Sequence, residues 1–151
     1  MVRRHDAPDE GIARAGLRPA PGGVEDAAVR FLVGGQVVVL AYGGAVHVVQ
    51  LATGGWPPYA WAPAWLAGYF TALTVLDPLA AGLLWARRRA GLVLSVTVLV
   101  TDAAANGYAT YGLGLDAPAA RIAQAVISVL ALTALVTAPA VWKHLTLTKD
   151  R

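Results

Sequence analysis

The chain has 151 residues, of which 57% are hydrophobic and only 14% charged, with a net charge of +3. An average soluble domain is about 25% charged, and here ten of the charged residues fall within residues 1–30, leaving eleven for the rest of the chain. That distribution cannot clothe a soluble globule. It excludes a soluble enzyme, a disordered chain and a nucleic-acid-binding domain, and leaves an integral membrane protein whose first partner is the lipid bilayer.

Residues 1–29 are rich in Pro and Gly and mix both signs of charge. They read as a flexible cytoplasmic tail, with a short helix over 24–30 leading into the membrane. Four apolar stretches follow at 31–51, 62–86, 91–113 and 120–142. Each reaches the roughly 20 residues that a helix needs to cross a bilayer. The first is too long for a secretory signal, whose apolar region runs to about 7–15 residues. The predicted fold is therefore all-α, a polytopic four-helix transmembrane bundle over 30–145, running up-down-up-down, with a short tail over 146–151.

Charge sets the orientation. Arg87-Arg88-Arg89 occupies the turn between the second and third stretches, and Lys143, Lys149 and Arg151 follow the fourth. The connections 52–61 and 114–119 hold no Lys or Arg, so all basic residues except Arg121 share one side. The positive-inside rule makes that side cytoplasmic, with both termini. Trp56, Tyr59, Trp61 and Trp65 then mark the outer interface, and Trp85 and Trp142 the inner one.

Within the spans, two acids stand out. An ionised side chain at mid-helix costs at least about 2.5–3.5 kcal/mol in hydrocarbon. Asp102 lies at the midpoint of the third span and Asp77 slightly cytoplasmic of the middle of the second. An Asp is too short to snorkel, so each must face the bundle interior, find a donor or hold a proton. Asn106 lies one turn after Asp102 on the same face. Gln36, Gly43, His47 and Gln50 form a thin polar stripe on the first helix, and Arg121, Gln124 and Ser128 another on the fourth. A polar cavity opening outward, with Asp102 at its floor and Asn106, His47, Gln50 and Gln124 around it, uses them together. Asp77 precedes Pro78, whose ring should kink the second helix and free a carbonyl. The sequence offers no cysteine, no metal-ligand spacing and no nucleotide or hydrolase motif, so no cofactor is expected.

The segments Leu76-Asp77-Pro78-Leu79, Arg87-Arg88-Arg89 and Thr101-Asp102-Ala103-Ala104-Ala105-Asn106-Gly107-Tyr108-Ala109 resemble the core of uncharacterised small four-span membrane proteins of GC-rich bacteria. That resemblance implies the fold and no activity. Tyr69, Phe70 and Asp77-Pro78-Leu79, with Asp102 as a later acid, also resemble the emopamil-binding/sigma-2-receptor superfamily. This second resemblance implies a four-helix protein with buried acids in a sterol or amine pocket, although His47 stands where that superfamily has an acid on its first helix.

Three functions are compatible with these residues. First is binding or transport of a small cationic or amphipathic ligand, for which four spans favour a homodimer. Second is a non-catalytic accessory subunit of a larger membrane complex. Third is a lipid- or sterol-type isomerase using the buried carboxyls. The orientation is directly testable. A reporter fused after Arg89 should be cytoplasmic and one inserted near Gly55 external; finding both on one side of the membrane contradicts four spans.

Overall fold

The computed structural model describes residues 23–147. Most of the expected N-terminal tail and the last four residues lie outside that range. The chain forms helices α1 (Gly23–Thr53), α2 (Ala64–Trp85), α3 (Arg89–Gly107) and α4 (Pro118–Leu147), with a π-helical turn at Tyr108–Gly112 extending α3. No strand occurs among the described residues. Each of the four helices is long and apolar enough to cross a membrane, and together they have the architecture of a multi-pass membrane protein. In hydrocarbon, where water cannot satisfy peptide groups, a continuous helix is the structure such segments adopt.

Hydropathy marks only the apolar part of a helix, so α1 and α4 overrun the stretches read from sequence at both ends, whereas α2 falls within 62–86. α1 begins at Gly23, so the last residues assigned to the tail are helical, and α4 extends through Leu147. Pro118 opens α4, where its missing N–H has no intrahelical partner in any case. α2 continues through Pro78 as one helix. At the end of α3 the ladder widens, with the Leu113 N–H bonding to the Tyr108 carbonyl at 3.0 Å. Gly112 lies under the Tyr108 ring, where a Cβ would stand 2.8 Å from it.

α1 packs on α2, α2 on α3 and α3 on α4, while a smaller α1–α4 contact completes the bundle. The paired residues run in opposite senses. His47 of α1 meets Phe70 of α2, whereas Gly43 and Gly44 meet Asp77 and Pro78. Tyr69 of α2 meets Thr101 of α3, whereas Leu84 meets Gly91. Neighbouring helices are thus antiparallel, as their short connections require. α2 buries Leu66, Phe70, Leu73, Asp77, Ala80, Ala81 and Leu84, a single stripe at helical spacing with one carboxyl in its middle. The outward faces are apolar as well: Phe31 is 82% exposed and Val136 70%. In water such a surface would aggregate; against acyl chains it is the ordinary exterior.

Close approach at the α2–α3 turn depends on Gly91. A Cβ there would collide with the backbone of Leu83 and Leu84, which cannot swing aside. Gly68 on α2 has open space around it. Gly91→Ala should therefore lower stability by about 1–3 kcal/mol through overpacking, while Gly68→Ala should be neutral or raise it by up to about 1 kcal/mol through helix propensity. Thermal unfolding of the two variants in detergent measures the contrast.

Candidate functional site

The site is assembled on α1, α2 and α3. Asp77, only 5% exposed, occupies the core stripe of α2 because α1 presents Gly43 and Gly44 there. A Cβ on Gly43 would lie 2.8 Å from Asp77 Oδ2, and one on Gly44 would lie 2.9 Å from the Pro78 ring. Small residues let two transmembrane backbones come this near. Asp102 lies on α3 beside Thr101, which meets Tyr69 of α2. Asn106 holds Asp102: the amide Nδ2 donates to Asp102 Oδ1 at 2.8 Å and to the Asp102 carbonyl at 3.0 Å. Asp77 has no hydrogen bond, and neither acid forms an ion pair, among the described residues.

Above the acids sits an aromatic cluster. The His47 ring stacks on Phe70 at a centroid distance of 5.8 Å, and Tyr59, Trp61 and Tyr69 surround the same phenyl ring at 5.4, 6.1 and 5.9 Å. The Tyr59 hydroxyl donates to Gln50 Oε1 at 3.1 Å and lies 3.1 Å from His47 Nδ1. A phenol has one proton, so with that proton given to Gln50 its oxygen accepts from the His47 Nδ1–H, which assigns the imidazole tautomer. Tyr69 shares a 2.8 Å hydrogen bond with Thr101, the neighbour of Asp102. Both tyrosines are within electrostatic reach of Asp102.

The structure thus brings Asp77, Asp102, Asn106, His47 and Gln50 to one region. It places Gln124, Arg121 and Gln36 elsewhere. Gln124, buried on α4, turns to the backbone of α3 and donates from Nε2 to the Ala103 carbonyl at 2.9 Å and to Ser128 Oγ at 3.1 Å. It braces the turn that carries Asp102. Arg121 pairs with Asp116 in the connection before α4, away from the acids, and its guanidinium holds the Asp116 carboxyl below the usual carboxylate range. Gln36 accepts a hydrogen bond from Ser95 at 3.3 Å, toward the other end of α1.

Tyr59, Tyr69 and Thr101 escaped the sequence reading as site residues. Tyr59 sits among three tryptophans in the 56–65 segment and looks like one more headgroup anchor. Trp56 and Trp65 are indeed exposed, but Tyr59 is 8% exposed and adopts φ 54°, turning its ring into the bundle. The signal available was a buried His one turn before a Gln, both needing a partner. The three cavities described are lined by residues other than Asp77 and Asp102. Asp77 is buried and Asp102 half-buried.

No protein-family model, curated protein or solved structure matches the chain. The resemblances noted above therefore rest on the motif residues alone. Among the described residues no group of three or more His, Cys, Asp or Glu gathers to hold a metal.

The His47–Tyr59–Gln50 chain should behave as one unit. Tyr59→Phe leaves a buried imidazole N–H without its acceptor and should cost about 1–3 kcal/mol in detergent unfolding. His47→Phe combined with Tyr59→Phe should cost less than the sum of the single changes. Strict additivity would show that the hydrogen bond carries no coupling.

Proposed function

We propose that this chain is an inner-membrane protein of a bacterium, with four spans up-down-up-down and both termini cytoplasmic, that binds a small cation between Asp77 and Asp102. The observation that carries the reading is a pair of carboxyl groups on facing helices, one of them 5% exposed, with no cationic partner among the described residues. Two carboxyl groups in hydrocarbon call for a positive charge, either a bound cation or a shared proton. The aromatic cluster adds quadrupole attraction for an organic ammonium, worth about 2 kcal/mol or more per ring once desolvated. The close packing of α1 against Asp77 favours a small amine or monovalent ion over a bulky amphipathic ligand. The amine pocket implied by the second family resemblance points the same way.

Transport is the natural use of such a site, since His47, Gln50 and Tyr59 lie toward the 52–61 connection and the acids deeper. Four helices make a small transporter, and assembly as a homodimer would supply the remaining wall of a pathway. Burial of Asp77 speaks against an acid waiting on the lipid face for a partner subunit. An isomerase would need a substrate-sized void at the acids, and the described cavities lie elsewhere.

Uptake of labelled methylammonium into proteoliposomes under an imposed membrane potential tests the reading. Asp77→Asn and Asp102→Asn keep size and hydrogen-bonding capacity, and each should cut uptake by more than about tenfold with little change in melting temperature. An Asp102→Leu protein that melts higher and still transports at the wild-type rate would falsify a role for the pair, because removing an unneeded buried polar group is often stabilising.

A further inference from the structure

The other end of the bundle holds a second polar feature that the acid pair does not use. Arg30 of α1, Trp85 and Arg87 at the α2–α3 turn, and His144 in the last turn of α4 line a cavity of about 320 Å³ whose wall is completed by apolar residues such as Val33 and Leu145. Among the described residues no acidic side chain lines it, and neither arginine forms an ion pair.

The three consecutive arginines have different surroundings. The Arg89 guanidinium stands 5.0 Å from the centroid of the Trp142 ring, in a cation–π contact. Arg88 precedes the first turn of α3 and is exposed, outside the cavity. Arg87 alone of the three reaches the cavity. It does so from φ 55°, the left-handed conformation that glycine normally supplies after a helix C-terminus. Backbone hydrogen bonds close the turn, Arg87 N–H to the Leu84 carbonyl and Arg88 N–H to the Leu83 carbonyl, both at 2.9 Å. The Arg87 guanidinium makes no hydrogen bond or ion pair among the described residues. A glycine would make this turn with less strain, so what the arginine adds is its side chain. An unfavourable backbone conformation held by a charged residue at a cavity wall points from geometry to binding.

We infer that this cavity binds a phosphate group bearing no cation of its own, as on an anionic phospholipid headgroup or a free phosphate ion. Two guanidinium groups with fork geometry suit phosphate oxygens. Trp85 and the ends of three apolar helices set the cavity at the level where headgroups lie. A headgroup with its own ammonium would place like charge against Arg30 and Arg87, which selects against zwitterionic lipid.

The full chain, purified in a non-ionic detergent, is titrated with phosphatidylglycerol, phosphatidylcholine and inorganic phosphate, and bound molecules are counted by native mass spectrometry. Arg87→Gly suits the backbone of the turn and should melt no lower than wild type. It should weaken phosphatidylglycerol binding about fivefold, with Arg30→Gln weakening it about fivefold more. Arg88→Gln removes the same charge one residue away and should leave binding unchanged. Displacement of the lipid by excess inorganic phosphate, with Arg87-dependent phosphate binding, assigns the site to a soluble anion; retention of the lipid assigns it to the headgroup. Equal affinity in wild type and Arg87→Gly, equal loss in Arg88→Gln, or equal binding of phosphatidylcholine overturns the inference.

Discussion

The contact on which the site depends is the one between Gly43-Gly44 and Asp77-Pro78. With no Cβ on either glycine, α1 lies directly against a carboxyl group and a proline ring. That approach seals Asp77 into the core stripe of α2 and brings His47 onto Phe70 one turn farther along. His47 in turn offers Tyr59 a partner, and Tyr59 draws the α1–α2 connection inward. A larger residue at Gly43 or Gly44 would push the helices apart, wet the acid and undo the chain of contacts behind it.

Much of this was legible in the sequence because bilayer physics is coarse. Span number follows from hydropathy, and the oddity of Asp77 and Asp102 follows from the cost of charge in hydrocarbon. The Asp102–Asn106 pair is a local matter of helix pitch, so spacing alone gave it, and the same holds for Gln124–Ser128. Which helix faces meet is not local. Gly43 read as one member of the polar stripe on the first helix, while its role is steric. Gln124 looked like a cavity residue because it shares a face with Ser128, yet α4 rotates that face onto the backbone of α3. Tyr59 depended on a positive φ in a connection of prolines and tryptophans, which no periodicity reports.

The two ends of the bundle are chemically opposed. Toward the 52–61 connection the chain gathers aromatic rings, an imidazole and amides around deeper carboxyl groups. Toward the α2–α3 turn it gathers guanidinium groups and tryptophans. Between them the core is Leu, Ala and Val, with Ser95 and Gln36 as the polar exception. Such polarity along the helix axis distinguishes the two ends of the bundle independently of loop charge.

The order in which the parts are made adds a constraint of its own. The acids, the aromatic cluster and the arginine turn all belong to α1–α3, whereas α4 contributes a brace behind Asp102 through Gln124. A ribosome makes the chain from its N-terminus, and domains form in that order. α3 leaves the ribosome ahead of α4, so Asp77 and Asp102 emerge before Gln124 can pack against the Ala103 carbonyl. The glycine contact and the Asn106 amide are the means available to shelter two carboxyl groups during that interval. α1–α3 thus carry both carboxyl groups, and α4 braces them from behind through Gln124.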